Sequence, residues 1–164
     1  MKKIEALAAF CAILAGVVLT LITLITVMSV LGRELFGKTI SGDFELVGVA
    51  AGAAVALFLP WCQVKRGNIV VDFFTSRASM QTTQWMDRFG SLLLALMAGL
   101  FAWRSALGGL NAYTTHSGTM MLDFPEWVVY ALMVPPLALT SLVGLMQALG
   151  YESQVASNST GSPA

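Results

Sequence analysis

The sequence predicts an all-α integral membrane protein, a bundle of four spanning helices, and three observations carry that prediction. Hydrophobic residues fill 57% of the 164 positions and charged residues only 11%, against roughly 25% charged in an average soluble domain. Mean hydropathy is +0.77. The few charges are also spaced so that four long uncharged intervals lie between them. Nine Lys and Arg balance nine Asp and Glu, which leaves no basic footprint for nucleic acid.

A spanning helix needs about 20 mostly apolar residues, because the hydrocarbon core is about 30 Å thick and each residue rises about 1.5 Å. The first span, 6–32, lies between Glu5 and Arg33 and is long enough to cross with tilt. It follows Lys2 and Lys3 but is longer than the roughly 7–15-residue core of a signal peptide and lacks a small-x-small cleavage pattern, so it is expected to stay as an anchor. A lipoprotein reading at Cys11 fails on the bulky Phe10 before it. The second span, 45–64, ends at Lys65. The third, 85–106, contains Arg88 and needs Arg104 to snorkel to the outer interface. The fourth, 127–150, contains Pro135 and Pro136, which should bend it or loosen a turn. Lipid forbids unpaired backbone, so each span is helical, and none alternates like the strands of a membrane barrel. The four form a single membrane domain, 1–152.

Lys2, Lys3, Lys65, Arg66, Arg77 and Arg88 fall on one side of this arrangement, and Arg33, Lys38 and Arg104 on the other. Positive residues favour the cytoplasm, so both termini are expected inside. Trp61, Trp85, Trp103 and Trp127 all fall near ends of the proposed spans, where amphipathic rings prefer the headgroup region. Between the second and third spans, Ile69, Val70, Val71, Phe73 and Phe74 are too few to cross and too apolar for a free loop. They read either as a short interfacial segment or as a connector packed under the bundle. Residues 153–164 are small and polar, with no face to bury, and are expected to form a disordered tail.

Small residues recur at four-residue spacing: Ala8, Ala12, Gly16 and Thr20 on the first span, Gly48, Gly52 and Ala56 on the second. Such stripes let helix backbones approach, either within the bundle or against a partner helix. Chemistry is harder to find. Arg104 is the one charged residue that even marginally qualifies as buried in the membrane rather than at a span's edge, and His116 is the single histidine, which excludes bis-histidine haem within the chain. Cys11 and Cys62 lack metal-site spacing, and their expected place near the cytoplasmic side disfavours a disulfide. No nucleophile–base pair or phosphate-cradling loop stands out, so no cofactor, metal or catalytic activity is expected. Without an internal repeat or mid-depth charge the chain is poorly equipped to be an ion-coupled carrier alone. A stand-alone small carrier and a membrane anchor for a redox enzyme remain the alternatives to a supporting subunit.

Particular residues then resemble a known family. Arg33 follows the first span, Gly42-Asp43-Phe44-Glu45-Leu46 opens the second, and Lys65-Arg66-Gly67-Asn68-Ile69-Val70-Val71-Asp72 follows it. Thr119, Leu122, Pro125, Trp127 and Tyr130 lead into the fourth. This order resembles the small membrane subunit of tripartite ATP-independent periplasmic (TRAP) transporters over roughly residues 10–150, with Asn68 where the family commonly has histidine and a charge at Glu126. The resemblance implies a multi-pass protein of a bacterial inner membrane. It also implies a large permease subunit and a periplasmic solute-binding protein as partners, and ion-driven uptake of organic acids. Within that frame Arg33 and Glu45 stand at the ends of adjacent spans, close enough to pair or to meet a docking protein. Lys65, Arg66 and Asp72 are candidates for contacting lipid headgroups or the large permease, Trp127 is a further candidate contact, and Gly16, Gly48 and Gly52 are candidate packing positions.

Overall fold

The computed structural model describes residues 2–37, 42–65 and 80–149, among which the named elements are four helices: α1 (Lys2–Phe36), α2 (Asp43–Val64), α3 (Met80–Thr115) and α4 (Glu126–Ala148). Each contains a stretch long and apolar enough to cross a membrane. The connector at 66–79 and the tail at 153–164, with the expectations attached to them, lie outside the described residues.

Successive helices run antiparallel, and their side chains give the register. Ser29 of α1 donates to Asp43 of α2 over 2.5 Å, while Ala15 packs on Ala54 and Leu57. On the other side, Ala56 of α2, Ala102 of α3 and Leu137 of α4 form one buried cluster at mid-length. The α1–α2 turn and the 116–125 loop therefore share one end of the molecule, the loop end. The start of α1 and the ends of α2 and α4 share the other, the terminal end.

The helices do not close into a four-cornered bundle. They lie as an open layer in the order α1–α2–α4–α3: α1 packs on α2, α2 on α4, and α4 most extensively on α3. Only 17–33% of the most apolar window of each span is buried. The contacts that exist are close because small residues line them. Gly144 of α4 sits over α3 so tightly that an added Cβ would come within 2.9 Å of the Ala95 Cβ and 3.1 Å of the Ser91 carbonyl oxygen. Ser141 beside it donates to the Ala95 carbonyl at 2.9 Å. Close backbone approach is what a membrane interface needs, since lipid tails are as apolar as leucine and burial alone gives little drive.

The expected small-residue stripes behave differently. A methyl on Gly16, Gly48 or Gly52 would meet nothing within 4 Å, whereas Ala8 and Ala56, at the other ends of the same stripes, are buried. Four residues turn a helix by about 400°, so each step drifts about 40° around it. A four-residue stripe that begins in the packed face has left it two steps later. Gly48 is exposed, while Gly16 and Gly52 are half-buried with open space where a methyl would go.

Helix ends follow local chemistry. Gly37 terminates α1 with φ +64°, and its N–H returns to the Arg33 carbonyl at 3.0 Å, the left-handed stop that glycine adopts without strain. Lys65 ends α2 and lays its ammonium 4.8 Å from the centre of the Trp61 ring. Pro60, Pro135 and Pro136 sit inside helices that continue past them. The expected loosening at the proline pair does not interrupt α4. Thr140 donates back to the Pro136 carbonyl at 2.8 Å.

The third helix runs past the predicted end of its span at 106, as far as Thr115. Residues 105–115 contain no charge and no proline, so nothing in them stops a helix. It ends at His116, φ +50°, a residue type that tolerates the left-handed region better than most.

Candidate functional site

At the loop end the chain builds a small ordered cap between α3 and α4. Residues 117–126 satisfy much of their own backbone. Thr119 N–H reaches the Phe124 carbonyl at 3.0 Å, Asp123 N–H reaches Thr119 at 3.0 Å, and Glu126 N–H reaches Ser117 at 3.1 Å. The Thr119 hydroxyl accepts from Phe124 N–H at 3.2 Å, and Ser117 donates to the Glu126 carboxylate at 3.2 Å. The charge at Glu126 thus ties the loop to the first turn of α4, where a carboxylate also suits the helix dipole.

Glu45 fixes this cap to α2. Its two carboxylate oxygens accept the Met121 N–H at 3.0 and 3.1 Å, and one of them accepts the Leu122 N–H at 3.3 Å. Charge-assisted bonds from main-chain donors are the strong kind. The same junction explains Gly42. Its φ is +81°, and a Cβ there would lie 2.5 Å from Leu122 Cγ, so conformation and space both require glycine. The loop apex carries apolar side chains outward: Met120 is fully exposed and Met121 largely so.

The expected Arg33–Glu45 pair does not form. Glu45 turns to the 121–122 backbone, and Arg33 pairs with its neighbour Glu34 at 3.8 Å, both side chains well exposed. An exposed adjacent pair of that length contributes little, while the main-chain donors offer Glu45 several bonds at once. No signal in the sequence marks this partnership, because main-chain donors 76 and 77 residues away carry no residue-type signature.

At the terminal end a different device joins α2 to α4. Gln63 donates to the side-chain oxygen of Gln147 at 2.7 Å, and Gln147 donates to the Gln63 main-chain carbonyl at 2.9 Å. Gln63 is buried. No charge or motif marks these glutamines near the span ends, although a polar side chain within a membrane helix is itself a signal for an interhelical bond.

Trp127 stands at the start of α4, edge-on to Tyr113 with ring centres 5.8 Å apart. It borders an open apolar groove of about 440 Å³ between α3 and α4, whose floor includes Gly109, Tyr130 and Pro135. Lys65 lies at the terminal end of α2, while Arg66 and Asp72 fall outside the described residues. Among the described residues no three His, Cys, Asp or Glu side chains gather into a metal site.

Trp103 and Arg104 are neighbours on the long helix α3. Both are exposed on α3, which extends eleven residues beyond Arg104.

No curated protein and no solved structure matches the chain. The profile of the family described as tripartite ATP-independent periplasmic transporters, DctQ component, does match, over residues 22–151. That interval takes in α1 from Ile22 onward, the Glu45-anchored cap and all of α2, α3 and α4. This chain belongs to the DctQ family, the small permease component of TRAP transporters.

Proposed function

We propose that the chain is a non-catalytic scaffold that braces the large permease of its transporter in the bacterial inner membrane. The transporter would carry organic acids inward by ion-coupled symport, with substrate delivered by a periplasmic solute-binding protein. One observation carries the reading: the four helices form an open layer whose spans are mostly uncovered, as befits a plank laid against a larger membrane protein. In this reading the loop end is periplasmic and both termini are cytoplasmic. Lys65 and Arg66 then meet anionic headgroups at the inner surface. Trp127 sits at the outer headgroup level, and Arg33 and the Glu45-anchored cap lie where a delivered binding protein would approach.

The test is co-expression with the large permease of its transporter, a purification tag on this chain alone, and uptake assays in a strain lacking it. The large subunit should co-purify in fixed ratio, and uptake should fail without the small one. A chain that purifies alone beside abundant permease, with uptake intact after its deletion, would overturn the reading.

A further inference from the structure

Arg104 occupies a position that the layer by itself does not explain. The register of α3 against α4 is fixed by contacts along their length. Tyr113 meets Trp127 edge-on, Gly109 lies under Tyr130, Ala102 packs on Leu137, Gly99 lies against Ser141 and Ala95 under Gly144. Interpolated between these contacts, Arg104 lies level with Pro135, nine residues into α4, or about 14 Å from the loop end at 1.5 Å per residue. The half-thickness of a hydrocarbon core is about 15 Å. Arg104 is therefore near mid-depth, two residues from Ala102 in the central cluster.

Its surroundings offer no relief. The buried residues of α3, Ala95, Ala98, Ala102 and Ala112, define the face turned to the layer, and at about 100° per residue Arg104 points away from it, roughly 135° around the helix. Leu100, Phe101 and Leu107, one turn away on either side, are exposed apolar residues. Among the described residues no carboxylate, hydroxyl or carbonyl bonds to the guanidinium. Snorkelling to the nearer surface is opposed by geometry. Side chains on a helix lean toward its N-terminus, which for α3 means away from the loop end. Moving the whole interface down to Arg104 would instead strand the exposed Val27, Met28, Leu31, Leu35 and Phe36 of α1 in water.

We propose that Arg104 is a docking residue: its guanidinium pairs with a carboxylate on a transmembrane helix of the large permease, laid along the outward face of α3. A charge at mid-bilayer is costly and rarely faces lipid, and the arginine fork matches a carboxylate in a way that no apolar helix can. Leu100, Phe101, Trp103 and Leu107 supply the apolar rim of the contact. The proposal rests on the scaffold reading above and adds to it which helix face meets the partner and by what chemistry.

The experiment uses the full chain co-expressed with its large permease. Arg104→Leu should leave the amount of this chain in the membrane unchanged or higher while recovery of the permease with it falls about tenfold or more, as loss of one member of a desolvated charge pair does. Arg104→Lys should recover part of the loss. Independently, a benzophenone side chain introduced at Trp103 in the otherwise natural chain should crosslink to the permease on illumination. Permease recovery that is indifferent to Arg104→Leu, or crosslinking to phospholipid alone, overturns the proposal. If the unaltered chain itself fails to hold the permease, the scaffold reading has failed; if it holds the permease and Arg104→Leu does so equally, only the docking contact has.

Discussion

The two ends of the helical layer are held by opposite means. At the loop end a loop does the joining: 117–126 bonds largely to itself, and the Glu45 carboxylate collects its main-chain N–H groups onto α2. At the terminal end the joining is helix to helix, through the side chains of Gln63 and Gln147 with no loop between them. A carboxylate gathering backbone donors works where water can reach its remaining lone pairs, whereas a neutral amide pair tolerates lipid because each partner satisfies the other. The loop end thus presents a shaped surface of ordered loop, while the terminal end is a side-chain tie between helices.

Four substitutions would break or sharpen that contrast. The largest effect is expected for Gly42→Val at the loop end, since the branched side chain must adopt φ +81° and displace Leu122. Thermal unfolding of the detergent-purified chain should show a loss of about 2–3 kcal/mol, and an unchanged transition would mean that the cap does not depend on this corner. Gln147→Leu at the terminal end removes both of its side-chain bonds to Gln63 and should cost about 1 kcal/mol by the same assay. Glu45→Gln should leave the unfolding transition nearly in place but speed amide hydrogen exchange at Met121 and Leu122, while exchange in α4 near Gln147 stays as before. If exchange spreads to both ends together, the two devices are one cooperative unit. The smallest effect belongs to Gly48→Ala, whose new methyl meets nothing. The chain alone should be unchanged or more stable, by up to about 1 kcal/mol from helix propensity.

Much of the fold is legible in the charge pattern. The span at 127–150 and the helix Glu126–Ala148 agree within the usual latitude of helix ends, and the first two spans lie within α1 and α2. The third does not yield so easily. Arg104 looks like a boundary because charge marks boundaries elsewhere, yet the neutral residues after it continue the helix to Thr115. The order α1–α2–α4–α3 is hidden because hydropathy counts helices without saying which are neighbours. Around the stripe glycines an added methyl would meet nothing within the chain, in keeping with the drift of a four-residue repeat around a 3.6-residue helix. At the cap, Gly42 and Glu45 stand within the motif that carries the family resemblance, but their partners at 121–122 contribute backbone and apolar carbon, which composition cannot flag.

The neighbour order has a consequence for biogenesis. Of the four helices, α4 leaves the ribosome last, yet it is the one wedged between α2 and α3. The hairpin of α1 and α2 can pair as soon as both have entered the bilayer, but α3 must wait in lipid without its main neighbour until α4 inserts. A ribosome that stalls before residue 126 would release a hairpin and a stray helix, and membrane quality control would meet that species each time synthesis fails near its end.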